Sequence, residues 1–187
     1  MISITLPDGS IRAFAPGTTP MEVAKNISEG FARNVISASF EGTTIETSTP
    51  LTTDGSLILY TWNDAEGKKA FWHSTSHVMA QVLEEMFPGI QLTLGPAIAN
   101  GFYYDVDFGD QKITEADFKA IESRILEISK EKHEFKMRAV TKAEALETYK
   151  DNVYKTELIS NLEDGTITFC DHATFTDLCR GDRKSVV

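Results

Sequence analysis

The chain has 187 residues, 41% hydrophobic and 25% charged, proportions that support a packed core and exclude a disordered, collagen-like or low-complexity protein. Its 18 basic and 28 acidic residues leave a net charge of −10, which argues against strong, sequence-independent binding of a nucleic-acid backbone by this chain alone. No apolar run approaches the ~18 residues that span a bilayer, the N-terminus lacks the basic and apolar regions of a signal peptide, and Cys170 and Cys179 fit a reducing compartment, so a cytoplasmic protein of two small domains is expected.

In chain order, Ile2 to Leu6 alternates like a strand, Pro7-Asp8-Gly9 supplies turn chemistry and Ile11 resumes the strand, which predicts a hairpin. Thr19-Pro20-Met21-Glu22 predicts a helix start, with a capping hydroxyl, a proline in the first turn and an acid behind it. Strands over Val35 to Phe40, Thr43 to Glu46 and Ser56 to Trp62 complete a ββαβββ order. Asn63 to Lys69 is polar and contains a glycine, so it is expected to be a linker between domains at 1–62 and 70–187. A helix is then predicted from about Ala70 to Met86, ended by Pro88-Gly89, and a strand over Phe102 to Asp107. Thr114 to Lys132 is expected to be a capped amphipathic helix, another helix to open at Thr141, and Thr166 to Phe169 to be a short strand.

Two of the four histidines, His73 and His77, are four residues apart, which on a helix puts both imidazoles on one face, close enough to share a water, a substrate or a metal. Spacing alone leaves a structural role equally open. Near the C-terminus Cys170, Asp171, His172, Asp177, Cys179 and Arg180 form a dense reactive set. Cys170 reads as a small buried hydrophobe and His172 as either a turn residue or a functional one, while Cys179 gains weight only if the chain folds it onto the histidines. Gly95, Pro96 and Tyr104 could form a pocket wall or merely flank a core strand. Lys155 reads locally as a solvated charge and His133 as solvent-facing.

In their order and separation these segments resemble the N-terminal region of bacterial-type threonyl-tRNA synthetases, over nearly the whole chain up to Gly181. ITLPDGS and the segment to Trp62 resemble the TGS domain; His73-Ser74-Thr75-Ser76-His77, Leu94-Gly95-Pro96, Asn100 to Asp107 and Asp177-Leu178-Cys179-Arg180-Gly181 resemble the editing domain. The resemblance implies an α+β protein: a ubiquitin-like β-grasp TGS domain, then a mixed α+β editing domain. It implies hydrolysis of seryl-tRNA(Thr) made in error, with His73, His77, Lys155, Asp177 and Cys179 in the chemistry and Gly95, Pro96, Tyr104 and Arg180 binding substrate. The partner is the acceptor end of tRNA(Thr), with no membrane. No metal or other cofactor is expected in this region; the family uses ATP, magnesium and zinc in an aminoacylation core that this chain does not contain, and dimerises through that core, so a monomer is an open expectation here. The family pattern places a histidine four residues after Cys179, where Arg183 stands, so weak activity and a foreign Asp182 to Val187 are also expected. A non-catalytic binding module and a zinc-dependent hydrolase held by His73, His77 and Cys179 are the competing readings.

Overall fold

The computed structural model describes residues 1–179; the expectations placed on Arg180, on Arg183 and on Asp182 to Val187 as a whole lie outside the described residues. The chain divides into two compact units, one over Met1–Phe71 and one beginning at Trp72.

The first unit starts with β1 (Ile2–Thr5) and β2 (Ile11–Phe14), paired antiparallel with Ile4 opposite Arg12. Gly9 takes a φ of 81° in the connecting turn, a region that glycine occupies without steric cost. Helix α1 (Pro20–Ile27) begins as its sequence dictates: the Glu22 amide donates to the Thr19 hydroxyl at 3.2 Å, and the Thr19 amide donates to the Glu22 carboxylate at 2.8 Å. A short α2 (Glu29–Ala32), not anticipated from the sequence, is capped by Ser28 and leads to β3 (Val35–Phe40), β4 (Thr43–Ile45) and β5 (Gly55–Thr61). The sheet order is β2-β1-β5-β3-β4, with β1 and β5 parallel and the other pairs antiparallel. Its inward positions, Ile2, Ile4, Leu6, Ala38 and Leu57, close over Val23 of α1 and Leu51. Fully burying aliphatic side chains such as Ile4 and Leu57 stabilises by about 1.5–3 kcal/mol each, so this unit has a core of its own.

Helix α3 (Ala65–Met86) starts earlier than its sequence suggested. Most of the polar stretch read as a linker is helical, because Ala, Glu and Lys are strong helix formers and the Lys68 amide already donates to Asp64 O at 3.0 Å. The expected strand over Phe102 to Asp107 is instead split, as β6 (Gln91–Leu92), β7 (Ala97–Ile98), β8 (Gly101–Phe102) and β9 (Val106–Asp107) form two small antiparallel pairs, β6 with β9 and β7 with β8. Helix α4 (Glu115–Glu131) follows, the Asp117 carboxylate accepting from both the amide and the hydroxyl of Thr114. Then come β10 (Phe135–Ala139), α5 (Lys142–Thr148), α6 (Val153–Ser160), β11 (Thr168–His172) and β12 (Phe175–Leu178). The sheet runs β10-β11-β12, antiparallel throughout. Two apolar clusters support it: Val78, Val82 and Leu83 of α3 meet Ile121, Ile128 and Phe175, while Val140, Ala145, Ile159, Ile167 and Phe169 pack together. The content is mixed α+β, as expected. Among the described residues no helix is long and apolar enough to cross a membrane.

Gly67 tests the early start of α3. A Cβ there would run into the Thr61 carbonyl, whereas one at Gly30 meets nothing within 4 Å. Gly67→Ala is expected to lower stability by about 1–3 kcal/mol in urea denaturation despite the better helix propensity of alanine. Gly30→Ala, the control, is expected to be neutral or mildly stabilising.

Candidate functional site

Helical periodicity places His73 and His77 on one face of α3, with their Nε2 atoms 3.1 Å apart and their rings edge to face at 87°. His77 turns its other nitrogen to β12, where Nδ1 donates to Asp177 Oδ2 at 2.8 Å. Side chains two apart on an extended chain share a face, so Cys179 points the same way as Asp177. The chain stays extended there because the Cys179 amide donates to Thr168 O at 3.0 Å and the Thr168 hydroxyl donates to Cys179 O. The result puts Cys179 Sγ 3.1 Å from His73 Nε2.

The third contributor is α6. Its first turn is fixed by Asn152, which accepts from the Lys155 amide at 2.9 Å and donates to Leu92 O at 2.9 Å. Lys155 Nζ donates to Asp177 Oδ1 at 2.6 Å and stands 4.4 Å above the ring of Tyr149. The Tyr104 hydroxyl donates to Asp177 Oδ2 at 2.5 Å. Asp177, 1% exposed, therefore receives donors from Lys155, His77 and Tyr104.

Burial opposes ionisation of Asp177, yet the Lys155 charge and the His77 hydrogen bond hold its carboxyl well below the usual range. Burial presses His77 down too, but its bonds to Asp177 and Cys179 outweigh this and raise it from 6.5 to about 9. Against its own burial, Cys179 is lowered from 9.0 to about 6, chiefly by its bonds to His73 and His77. Burial and the Asp177 charge push Tyr104 far up, so it stays a donor. Asp177, His77 and Cys179 are thus all shifted toward their charged forms, with Lys155 paired to Asp177 at the other end of the row.

Six of the residues singled out in the sequence, His73, His77, Tyr104, Lys155, Asp177 and Cys179, thus form one hydrogen-bonded cluster. Gly95 adjoins it through its carbonyl, which accepts from Ser76, and through its Cα, where a Cβ would run into the Tyr104 ring; Pro96, next along, is exposed. Arg180 lies outside the described residues. The solvated-charge reading of Lys155 is overturned, since it is only 1% exposed: Asp177 and Tyr149 give its ammonium partners that local sequence does not reveal. His172 is no turn residue but a buried member of β11, stacked on Phe135 at 4.2 Å, its Nδ1 donating to Gln81 Oε1 at 2.8 Å. His133 is exposed and pairs with Glu131, and Cys170 is buried. Tyr149, Ser76 and Gln81 went unnoticed; Ser76 and Gln81 carried a signal, the helical face they share with His73 and His77.

Ligand atoms of His73, His77 and Cys179 all lie within 4.8 Å of one another, a donor set that suits zinc, with Asp177 behind His77 as the outer carboxylate. A metal would have to displace the proton shared by the two Nε2 atoms.

The TGS domain family matches residues 2–61. Over 181 residues, 97% of this chain, the sequence is 88% identical to the threonine–tRNA ligase of Flavobacterium johnsoniae and 82% identical to that of Flavobacterium psychrophilum; over 183 residues it is 51% identical to that of Parabacteroides distasonis. The chain matches the N-terminal part of bacterial threonine–tRNA ligases. It spans 28% of the length of these curated relatives. The β-grasp fold of its first unit is that of the TGS domain.

The charge row has a signature in stability. A raised His77 contributes stability that is complete below 6.5 and lost as pH rises through about 9, whereas a lowered Cys179 contributes stability absent below about 6 and complete above 9.0. The two trends oppose each other, so urea midpoints followed by Trp72 fluorescence in a Trp62→Phe background are expected to stay nearly level from pH 6.5 to 9. Cys179→Ala is expected to fall with rising pH across that window. A wild-type midpoint that drops by itself would show that Cys179 is not ionised.

Proposed function

We propose that the cluster around His73 and His77 hydrolyses the ester of seryl-tRNA(Thr), as the proofreading site of a threonine–tRNA ligase. The observation that carries this reading is the buried row Lys155–Asp177–His77 ending on the half-buried His73 and on Cys179. Serine lacks one methyl of threonine, and a missing methylene is worth only about 1–3 kcal/mol of discrimination, so a synthetic site alone passes serine and a second, hydrolytic site is needed.

An aminoacyl ester is already activated, so the site needs orientation and a base of modest strength. Water attacks the ester carbonyl and gives up a proton to His73, because His77, raised to about 9, already holds its own. The carbon–oxygen bond to the terminal ribose then breaks, and the ribose hydroxyl leaves with a proton. Lys155 is buried with its ammonium on Asp177 and over the Tyr149 ring, which supports a role in keeping that carboxylate charged over one in holding the water. Asp177 in turn orients the His77 ring by accepting from Nδ1. Gly95, Pro96, Tyr104 and Arg180 remain the candidates for holding serine and the terminal adenosine. Aminoacylation with ATP and magnesium, the zinc implied by the resemblance, and dimerisation belong on this reading to the rest of the ligase.

Hydrolysis of a seryl ester on an acceptor-stem RNA provides the test. His73→Ala is expected to reduce the rate by about 100-fold or more, the usual worth of a general base. Residues 1–187 as they stand are expected to be slow, and Arg183→His to be faster by about tenfold, since it restores the second-cluster histidine of the family pattern. No hydrolysis by either form of the chain would leave the binding-module reading, and hydrolysis untouched by His73→Ala would take the chemistry away from this cluster.

The zinc-hydrolase reading draws on the His73, His77 and Cys179 donor set. Because the two imidazoles already share a proton, elemental analysis of protein purified without a polyhistidine tag is expected to find far less than one zinc per chain. Stoichiometric zinc, with hydrolysis lost on chelation and regained on zinc addition, would favour the metal reading.

A further inference from the structure

Ser76 sits on α3 between the two histidines and is fully buried. Its hydroxyl lies 2.7 Å from the carbonyl oxygen of His73 and 2.8 Å from that of Gly95. A hydroxyl has one proton to give, so the two carbonyls share one donor. His73 O belongs to the backbone ladder of a helix, whereas Gly95 lies in the connection between β6 and β7, where no helix supplies a donor. Losing the hydroxyl therefore falls on Gly95. Serine is also a poorer helix former than alanine, so at a fully buried helical position its hydroxyl must be justified by what it binds.

Gly95 is in turn tied to Tyr104. Thr93 N donates to Asp105 O at 2.9 Å and Asp105 N donates to Leu94 O at 2.8 Å, fastening the two segments immediately before Gly95. At Gly95 itself the backbone lies against the Tyr104 ring so closely that a Cβ would overlap it. The ring ends in the phenol that donates to Asp177 at 2.5 Å. We propose that Ser76 is a positioning residue of this site: its hydroxyl anchors Gly95 to α3, and the Gly95 backbone then fixes the Tyr104 ring so that its phenol meets Asp177. The proposal rests on the hydrolytic reading for its catalytic consequence, but the anchoring has a readout of its own.

That readout is the phenol proton of Tyr104, which in so short a hydrogen bond resonates far downfield in the NMR spectrum and is identified as the signal lost in Tyr104→Phe. Ser76→Ala is expected to move it upfield. Ser76→Cys, of similar volume but a weak donor, is expected to move it less and stands in should the alanine variant fold poorly. A signal unmoved in a folded Ser76 variant overturns the proposal. In single-turnover hydrolysis of the seryl ester, Ser76→Ala is expected to lower the ratio of the saturated rate to the half-saturating RNA concentration about tenfold, because Gly95 and Tyr104 are displaced together. Combined with Tyr104→Phe it is expected to cause no further loss, because both act through one contact. Losses that multiply in the double variant would show that Ser76 does not act through Tyr104. If His73→Ala leaves hydrolysis intact, the hydrolytic reading fails by itself, and the phenol signal still decides whether Ser76 anchors Tyr104.

Discussion

A carboxylate taken out of water must be given donors, and at Asp177 this requirement organises the second unit. Its two oxygens receive an ammonium from α6, an imidazole from α3 and a phenol from the segment between β8 and β9. Leaving such a charge buried without its partner costs about 3–5 kcal/mol, comparable to much of a domain's net stability, so each donating element is held in register by the same acceptor. The burial of Lys155 follows from it: an ammonium that is normally solvated is drawn inside because Asp177 and the Tyr149 face replace its water.

The polarity of the row persists along its whole length. Water is excluded from Asp177 and His77, so their interaction is stronger than it would be at a surface, and the proton on His77 Nδ1 is fixed. His73 and Cys179 sit at the end of this row, one half-buried and the other 3% exposed. Beneath it lies an aromatic layer in which the Phe135 ring is 6.4 Å from His77 and 4.2 Å from His172. Burial lowers the pKa of His172, which keeps it neutral, and its bond to Gln81 ties it back to α3 one turn beyond His77. The lower layer thus fixes ring positions without adding charge to the row.

The first unit contributes none of these groups. Its sheet and α1 bury a separate apolar core, and the TGS match covers that part alone. The candidate site and the β-grasp fold therefore belong to different stretches of one chain.

Much of this was legible from local pattern. Thr19-Pro20 and Thr114 with Asp117 mark helix starts because capping acts over three or four residues, and the spacing of His73 and His77 places both on one helical face. The order of short motifs also pointed to the family. The start of α3 was placed too late, near Ala70, because polar composition at Ala65 to Lys69 concealed good helix formers, and the strand after Gly101 was misread because alternating aromatics did not reveal its break at Tyr103 to Asp105. No local rule brings Lys155 to Asp177, Tyr149 under Lys155, or His172 into a buried strand. Only the tertiary structure decided these, because the free energy of burying a charge or an imidazole depends on donors and acceptors up to 106 residues away in sequence, as His73 and Cys179 are, and not on the residue's neighbours in the chain.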